Sequence, residues 1–175
     1  MHTFIITAII AVLAALAAAL VTISHRTDIG ALLMPDRPVV KYRGNQPRRQ
    51  HRTDAGADLK CAETTTIHPG TQMLIGTGTY LEIPHGHYGE VVPRSSLPLK
   101  YDCTVANSPG IIDQDYRGEI KVNVYNFGTG PVTFQAGERI AQLLIHEATP
   151  VEFKHTTTLS STERGTGGHG STGKD

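Results

Sequence analysis

The chain has 175 residues, room for one domain and an appendage. Its 16 basic and 16 acidic residues cancel, which argues against a general nucleic-acid binder, although a local basic patch could still hold a phosphate. Gly (18) and Pro (10) are frequent enough to punctuate many short strands, and two isolated cysteines, Cys61 and Cys103, make neither a metal site nor a disulfide framework and read as buried free thiols.

Residues 4–23, "FIITAIIAVLAALAAALVTI", carry no charge and are long enough to cross a bilayer as a helix. No Lys or Arg precedes the run. After it come Arg26, Arg37, Lys41, Arg43, Arg48, Arg49 and Arg52, a bias that keeps the following domain on the cytoplasmic side. Three readings stay open. The run is a membrane anchor, or a cleaved signal peptide lacking the usual basic start, or an upstream extension of a cytoplasmic protein whose translation begins at Met34. The expected organisation is residues 1–33 as anchor or misassigned start, 34–155 as a β domain, and 156–175 as a flexible arm.

From residue 37 the text reads as short strands between turn residues: "PVVKY", "ADLKCA", "MLIGTGTYLEI", "YGEVVP", "CTVAN", "EIKVNVYNF", "PVTF" and "RIAQLLIHEA". "EIKVNVYNF" alternates Ile120, Val122 and Val124 with Lys121, Asn123 and Tyr125, as a half-buried strand does. "GERIAQLLIHEA" could pass for a helix. It is assigned as a strand because "PVTFQAGE" before it reads as its hairpin partner and turn. Many short strands with no internal repeat predict an all-β sandwich, jelly roll or barrel. The polar tail "LSSTERGTGGHGSTGKD" is either a floppy terminus or a flap that orders over a ligand.

Five stretches carry chemistry. "DAGADL" presents Asp58 at a strand entry. "PRSSL" sets Arg94, a forked phosphate donor, beside the hydroxyls of Ser95 and Ser96. "NSPGIIDQDYRG" places Asp113 and Asp115 near Tyr116, between Gly110 and Gly118. Such a turn either merely closes the chain or aims a carboxylate at a water. "GERIAQ" offers Gln142 from a strand. "RGTGGHGSTG" joins Arg164, His169 and glycines that let backbone N–H groups approach phosphate oxygens, but it lacks the Walker pattern. His85 and His87 are expected on a turn facing solvent, and the nine histidines show no metal-ligand spacing.

In this order the five stretches closely resemble the motifs of the trimeric dUTPases, from about residue 38 to the end. The resemblance implies a distorted β jelly roll of the β-clip type, a homotrimer with each active site built by three chains, and hydrolysis of dUTP to dUMP and pyrophosphate. That activity limits uracil incorporation into DNA and supplies dUMP. By the same resemblance, Asp113 matches the catalytic carboxylate that activates water against the α-phosphorus. Tyr116 matches the aromatic packed on the deoxyribose. Asn107 and the backbone of Gly110, Ile111, Ile112 and Asp113 match the segment that reads uracil, and Lys121 lies near the nucleotide. Arg94, Ser95 and Ser96 match the phosphate-contacting motif, and Asp58 and Gln142 the supporting polar network. Arg164, His169, Gly170, Ser171 and Thr172 fall in the closing arm, where the family's usual Phe is replaced by His169. Magnesium (Mg2+) is implied, held through substrate phosphates and water, with no direct protein ligand assigned. A hairpin can exclude the thymine methyl and pair with the uracil edge, and Gly110 permits that close turn. Two other readings share the fold: a dCTP deaminase-like enzyme and a nucleotide-binding regulatory protein.

Overall fold

The structure, a computed structural model, describes residues 37–168. Ten strands and one short helix follow in order: β1 Lys41–Gly44, β2 Ala57–Lys60, β3 Thr65–Ile67, β4 Gln72–Glu82, β5 His87–Val92, α1 Ser96–Tyr101, β6 Cys103–Val105, β7 Gly110–Ile112, β8 Glu119–Asn126, β9 Val132–Phe134 and β10 Arg139–Glu147. They form two four-stranded antiparallel sheets, β1-β4-β8-β6 and β2-β10-β5-β7, with a small β3-β9 ribbon. The all-β expectation holds.

The alternation in β8 does what its pattern predicts. Ile120, Val122 and Val124 are fully buried, and their neighbours face outward or sit half-buried. These three side chains join one core with Leu59, Ile67, Phe134, Ile140 and Leu143. Burying each large aliphatic side chain contributes about 1.5–3 kcal/mol. Asn126 closes the strand in the same core, fully buried. Its Nδ2 donates to the carbonyls of Ile67 (3.0 Å) and Gly130 (2.9 Å), and its Oδ1 accepts from Gly128 N (2.9 Å). Cys61 and Cys103 are buried free thiols.

Three sequence expectations are corrected. "PVTF" is not the hairpin partner of β10. It forms β9 and pairs with β3, while β10 lies between β2 and β5. The reason "GERIAQLLIHEA" imitates a helix is a register shift between Arg139 and Ala141, which buries Ile140 and Ala141 consecutively and breaks strict alternation. The segment 103–120 is also not a simple hairpin. β6 pairs with β8 in one sheet and β7 with β5 in the other, so this stretch crosses between the sheets and back. His85 stands on a turn as expected, but His87 begins β5 and is half-buried.

Helix α1 was not anticipated. Pro98 falls in its first turn, where a missing N–H loses no intrahelical bond; Leu97 is buried, and Asp102 ends the helix in the left-handed region at φ 49°.

Candidate functional site

Strand pairing in the second sheet brings three of the five stretches together. Asp58 on β2 lies opposite Gln142 on β10, which in turn lies opposite Val92 at the end of β5; Pro93 and Arg94 follow at once. The Asp58 side chain is only 11% exposed and sits between two guanidiniums: Arg94 Nε at 2.8 Å from Oδ1, and Arg139 Nη1 at 3.0 Å from Oδ2. Arg94 Nη1 further donates to Ser96 Oγ (3.3 Å) and to the Arg139 carbonyl (3.4 Å). Gln142 Nε2 donates to the Pro93 carbonyl (3.2 Å). A Cβ at Gly56 would lie 2.7 Å from Gln142 Oε1, so the glycine of "DAGADL" leaves space for that amide. Ser95 precedes α1, is exposed, and makes no capping bond with its hydroxyl. Together these groups form an ordered basic cluster whose donors are pre-aimed by one carboxylate.

Arg139 is the member the sequence reading missed. It stands in the quoted "GERIAQ", three residues before Gln142. Its tie to Asp58 depends on β2–β10 pairing across 81 positions, which local text does not display.

The third stretch builds a second centre. Asn107 is exposed in the turn between β6 and β7, and Gly110 is buried against Val91, with Asn107 Nδ2 3.3 Å from where its Cβ would be. Ile111 is exposed and Ile112 half-buried on β7. Asp113 follows, exposed, with its carbonyl accepting the Tyr116 N–H (3.1 Å). Gln114 Oε1 accepts from the Gly86 amide (2.9 Å), which pins this loop to the β4–β5 turn. Arg117 Nη1 donates to the carbonyls of Gln114 (2.5 Å) and Tyr116 (3.1 Å), so the loop's own backbone braces Arg117.

Tyr116 explains Gly118. The ring folds back over the glycine, and a Cβ there would meet Tyr116 Cζ at 2.5 Å and Cε2 at 2.9 Å. The phenol donates to the Glu119 carbonyl (3.0 Å). Any side chain at 118 would evict the ring from this position, while Tyr116 itself remains 45% exposed, a fixed aromatic platform open to a ligand. Lys121 stands exposed on β8, its Nζ 3.9 Å from Glu119 Oε2.

Within one chain these two centres stand apart. β5 and β7 run antiparallel, Gly89 opposite Ile112 and Val91 opposite Gly110. Asp113 therefore leaves the sheet beside Gly89, whereas Arg94 lies five residues further along the β5 chain, about 16 Å away at extended spacing.

Beyond β10 the described chain forms no strand or helix. Val151 (66%), Phe153 (94%) and Leu159 (88%) are exposed there. Arg164 is exposed, with Nε donating to the Gly167 carbonyl (2.9 Å). His169, Gly170, Ser171 and Thr172 lie outside the described residues, as does the apolar run 4–23. Among the described residues no helix is long and apolar enough to cross a membrane. Nor do they hold a group of three His, Cys, Asp or Glu side chains fit to cage a metal ion. Both oxygens of Asp58 are already engaged by arginines, so this donor set suits a cation that arrives with its own ligands.

The chain is similar to known proteins in both sequence and fold. The family model described as dUTPase matches residues 43–173. A deoxyuridine 5'-triphosphate nucleotidohydrolase of Corynebacterium diphtheriae is 52% identical over 128 residues, covering 73% of this chain and 84% of the relative. One from Anaeromyxobacter is 47% identical over 128 residues, covering 73% and 87%. Among solved structures, the Staphylococcus bacteriophage 80alpha dUTPase with dUPNHPP superposes with a TM-score of 0.72 at 28% identity, covering 77% of this chain and 98% of that one. On the match of model, relatives and fold, the chain belongs to the dUTPase family.

Proposed function

We propose that this protein hydrolyses dUTP to dUMP and pyrophosphate, by attack of water on the α-phosphorus, in sites shared between the chains of a homotrimer. The observation that carries the reading is the separation just described. The exposed Asp113 carboxylate and the Tyr116 ring lie at one end of a sheet and the ordered arginine–serine cluster at the other, and in this reading each is completed by the opposite end of another copy. Exposed apolar side chains on the strands (Met73, Leu74, Ile111) and on the segment that follows β10 (Val151, Phe153, Leu159) supply surface for such an assembly.

In this reading Asp113 orients the attacking water and takes its proton. Its exposure leaves the carboxylate accessible, and the Gln114–Gly86 bond holds the loop that carries it. Asn107 and the main chain of Gly110, Ile111, Ile112 and Asp113 read the uracil edge, and a methyl at its 5-position finds no room. Tyr116 packs on the deoxyribose and leaves no space for a 2′-hydroxyl. Arg94, Ser95 and Ser96 bind the phosphates, Asp58 and Gln142 keep that cluster in register, and Lys121 adds charge near the nucleotide. Residues 156–175 form the arm that closes over the substrate, with Arg164 on phosphate, His169 stacking on uracil, and Gly170, Ser171 and Thr172 donating to phosphate oxygens. No side chain is assigned to magnesium; carried on the triphosphate of dUTP beside the Arg94 cluster, it would supply charge neutralisation for the departing pyrophosphate. Residues 34–155 form the body of the enzyme, and the apolar run 4–23 anchors it on the cytoplasmic face; a chain begun at Met34 should then leave the membrane fraction and stay active. No observation of their own favours the deaminase-like or regulatory readings.

The test is pyrophosphate release from dUTP, dCTP and UTP by the purified protein. Release from dUTP at least a hundredfold faster than from the other two is expected. Equal rates, or ammonia release from dCTP, would overturn the reading.

A further inference from the structure

We propose that Glu119 is a positioning residue for the Tyr116 platform, and through it sets the discrimination between deoxyribose and ribose. The inference rests on the dUTP reading above. It starts from an irregularity in β4. The β4–β8 register shifts between Gly76 and Thr79, and Gly78 stands at φ +64°. A bulge of this kind turns a backbone N–H away from its ladder partner and leaves it needing an acceptor. Glu119 Oε1 supplies that acceptor, at 2.8 Å from Gly78 N. The other side of the same residue is held too, since the Gly78 carbonyl accepts from Asn45 N (2.8 Å).

The glycines around the bulge fit this arrangement. A Cβ at Gly76 would lie 2.7 Å from Glu119 Oε1, so position 76 is kept bare beneath the carboxylate. The Glu119 side chain is 23% exposed, and Oε2 faces Lys121 Nζ at 3.9 Å. The carbonyl of the same residue accepts the Tyr116 phenol (3.0 Å). One residue therefore clamps the start of β8 to the bulge with its side chain and holds the platform with its main chain. Glu119 is the first residue of β8 and pairs with Tyr80 beyond the bulge; without the side-chain clamp its carbonyl shifts with that end of the ladder, and the ring over Gly118 loses its fixed height. A ring that can retreat makes room for a 2′-hydroxyl.

The test compares Glu119→Ala, Glu119→Asp and Glu119→Gln with the parent. Gln keeps an oxygen at the same reach and can still accept the Gly78 N–H; Asp keeps the charge but is one methylene short; Ala keeps neither. The readout is the ratio of kcat/KM for dUTP to that for UTP, with thermal stability recorded beside it. Ala and Asp should lower the ratio about tenfold, the effect of losing one well-placed hydrogen bond to a charged group, mainly through a better UTP KM; Gln should hold it within about twofold of the parent. A purely structural role would lower the melting temperature and leave the ratio alone. That pattern overturns the proposal, and if Ala does not fold, Asp decides.

A second readout does not depend on activity. In the parent the Tyr116 ring lies over Gly118, so the Gly118 Hα proton signals should be shifted upfield by the ring current. They should move back toward ordinary glycine positions in Asp and Ala but not in Gln. Unchanged Gly118 shifts in the Asp variant would sink the Glu119 contact. A parent inactive on dUTP would instead defeat the functional reading and leave this contact testable by the shifts.

Discussion

Replacing Asp58 by Asn probes the hinge of the Arg94–Arg139 cluster. The carboxylate serves Arg94 Nε at 2.8 Å and Arg139 Nη1 at 3.0 Å, with the aspartate side chain 11% exposed and the arginines 24% and 39%. An amide of the same shape keeps one acceptor oxygen but sets an N–H donor against the second guanidinium. Breaking a fully buried pair costs about 3–5 kcal/mol, and an exposed one about 0–1 kcal/mol. The graded exposure here puts the loss near 2 kcal/mol, which for a chain of this size lowers Tm by about 4–8 °C. Arg94 would then share a single neutral acceptor with Arg139, would lean on its longer contacts to Ser96 Oγ (3.3 Å) and the Arg139 carbonyl (3.4 Å), and would lose its aim. KM for dUTP should rise by about tenfold with kcat changed less, because the ground state and transition state share the phosphate contacts. Thermal melting at fixed protein concentration and steady-state kinetics check both numbers. A variant with parental Tm and parental KM would show that the two arginines do not depend on the carboxylate.

Other consequences follow from the same geometry. Asp113→Asn should fold and bind dUTP while turnover falls by about a hundredfold or more, measured by pyrophosphate release and by calorimetric titration with a non-hydrolysable analogue; near-normal turnover rejects the base role. Gly118→Ala should drive Tyr116 from its seat, since the new methyl would stand 2.5 Å from Cζ, and KM for dUTP should rise by about tenfold or more; an unchanged KM would mean the ring does not meet the sugar. Burial, and then the nearby Asp102 charge, raises the Cys103 thiol above its usual range. The folded state therefore holds this proton when the unfolded chain releases it, so the contribution is intact below the ordinary thiol range and is lost as pH rises through it toward the folded value. Native protein should leave both buried thiols unreactive toward a disulfide reagent at pH 8 and expose them on unfolding; fast titration of either in native protein would contradict the packing.

The parts of the molecule legible in its sequence are those whose signal is local. β8 announces itself through Ile120, Val122 and Val124, and the long β4 through its run of strand formers. The three-residue strands β3 and β7 are too short to carry a period, and α1 hides behind Pro98. Pairing is the next layer lost: "PVTF" reads as a strand, yet its partner β3 lies far upstream rather than next in line. The site divides in the same way. Asp58, Arg94, Asp113, Tyr116 and Gln142 stand in recognisable stretches, so their proposed roles follow from resemblance. Arg139 escapes because its role exists only when β2 and β10 pair, and Glu119 because its carboxylate answers a bulge in another strand. The Gly118 requirement was in plain view, but its cause, a ring folded back two residues, needs coordinates to see.

The shared site can be tested by complementation between two inactive variants. One carries Asp113→Asn with an intact arm; the other keeps Asp113 but lacks residues 164–175. Neither alone can assemble a complete site. Unfolded together, refolded as an equal mixture and confirmed as mixed trimers by native mass spectrometry, they place an intact Asp113 and an arm from another chain in the same site with odds of about one half times one half. Activity should return to roughly a quarter of the parent value. Activity that stays at background in verified mixed trimers would mean that each chain closes its arm over its own Asp113, and the shared site would be wrong.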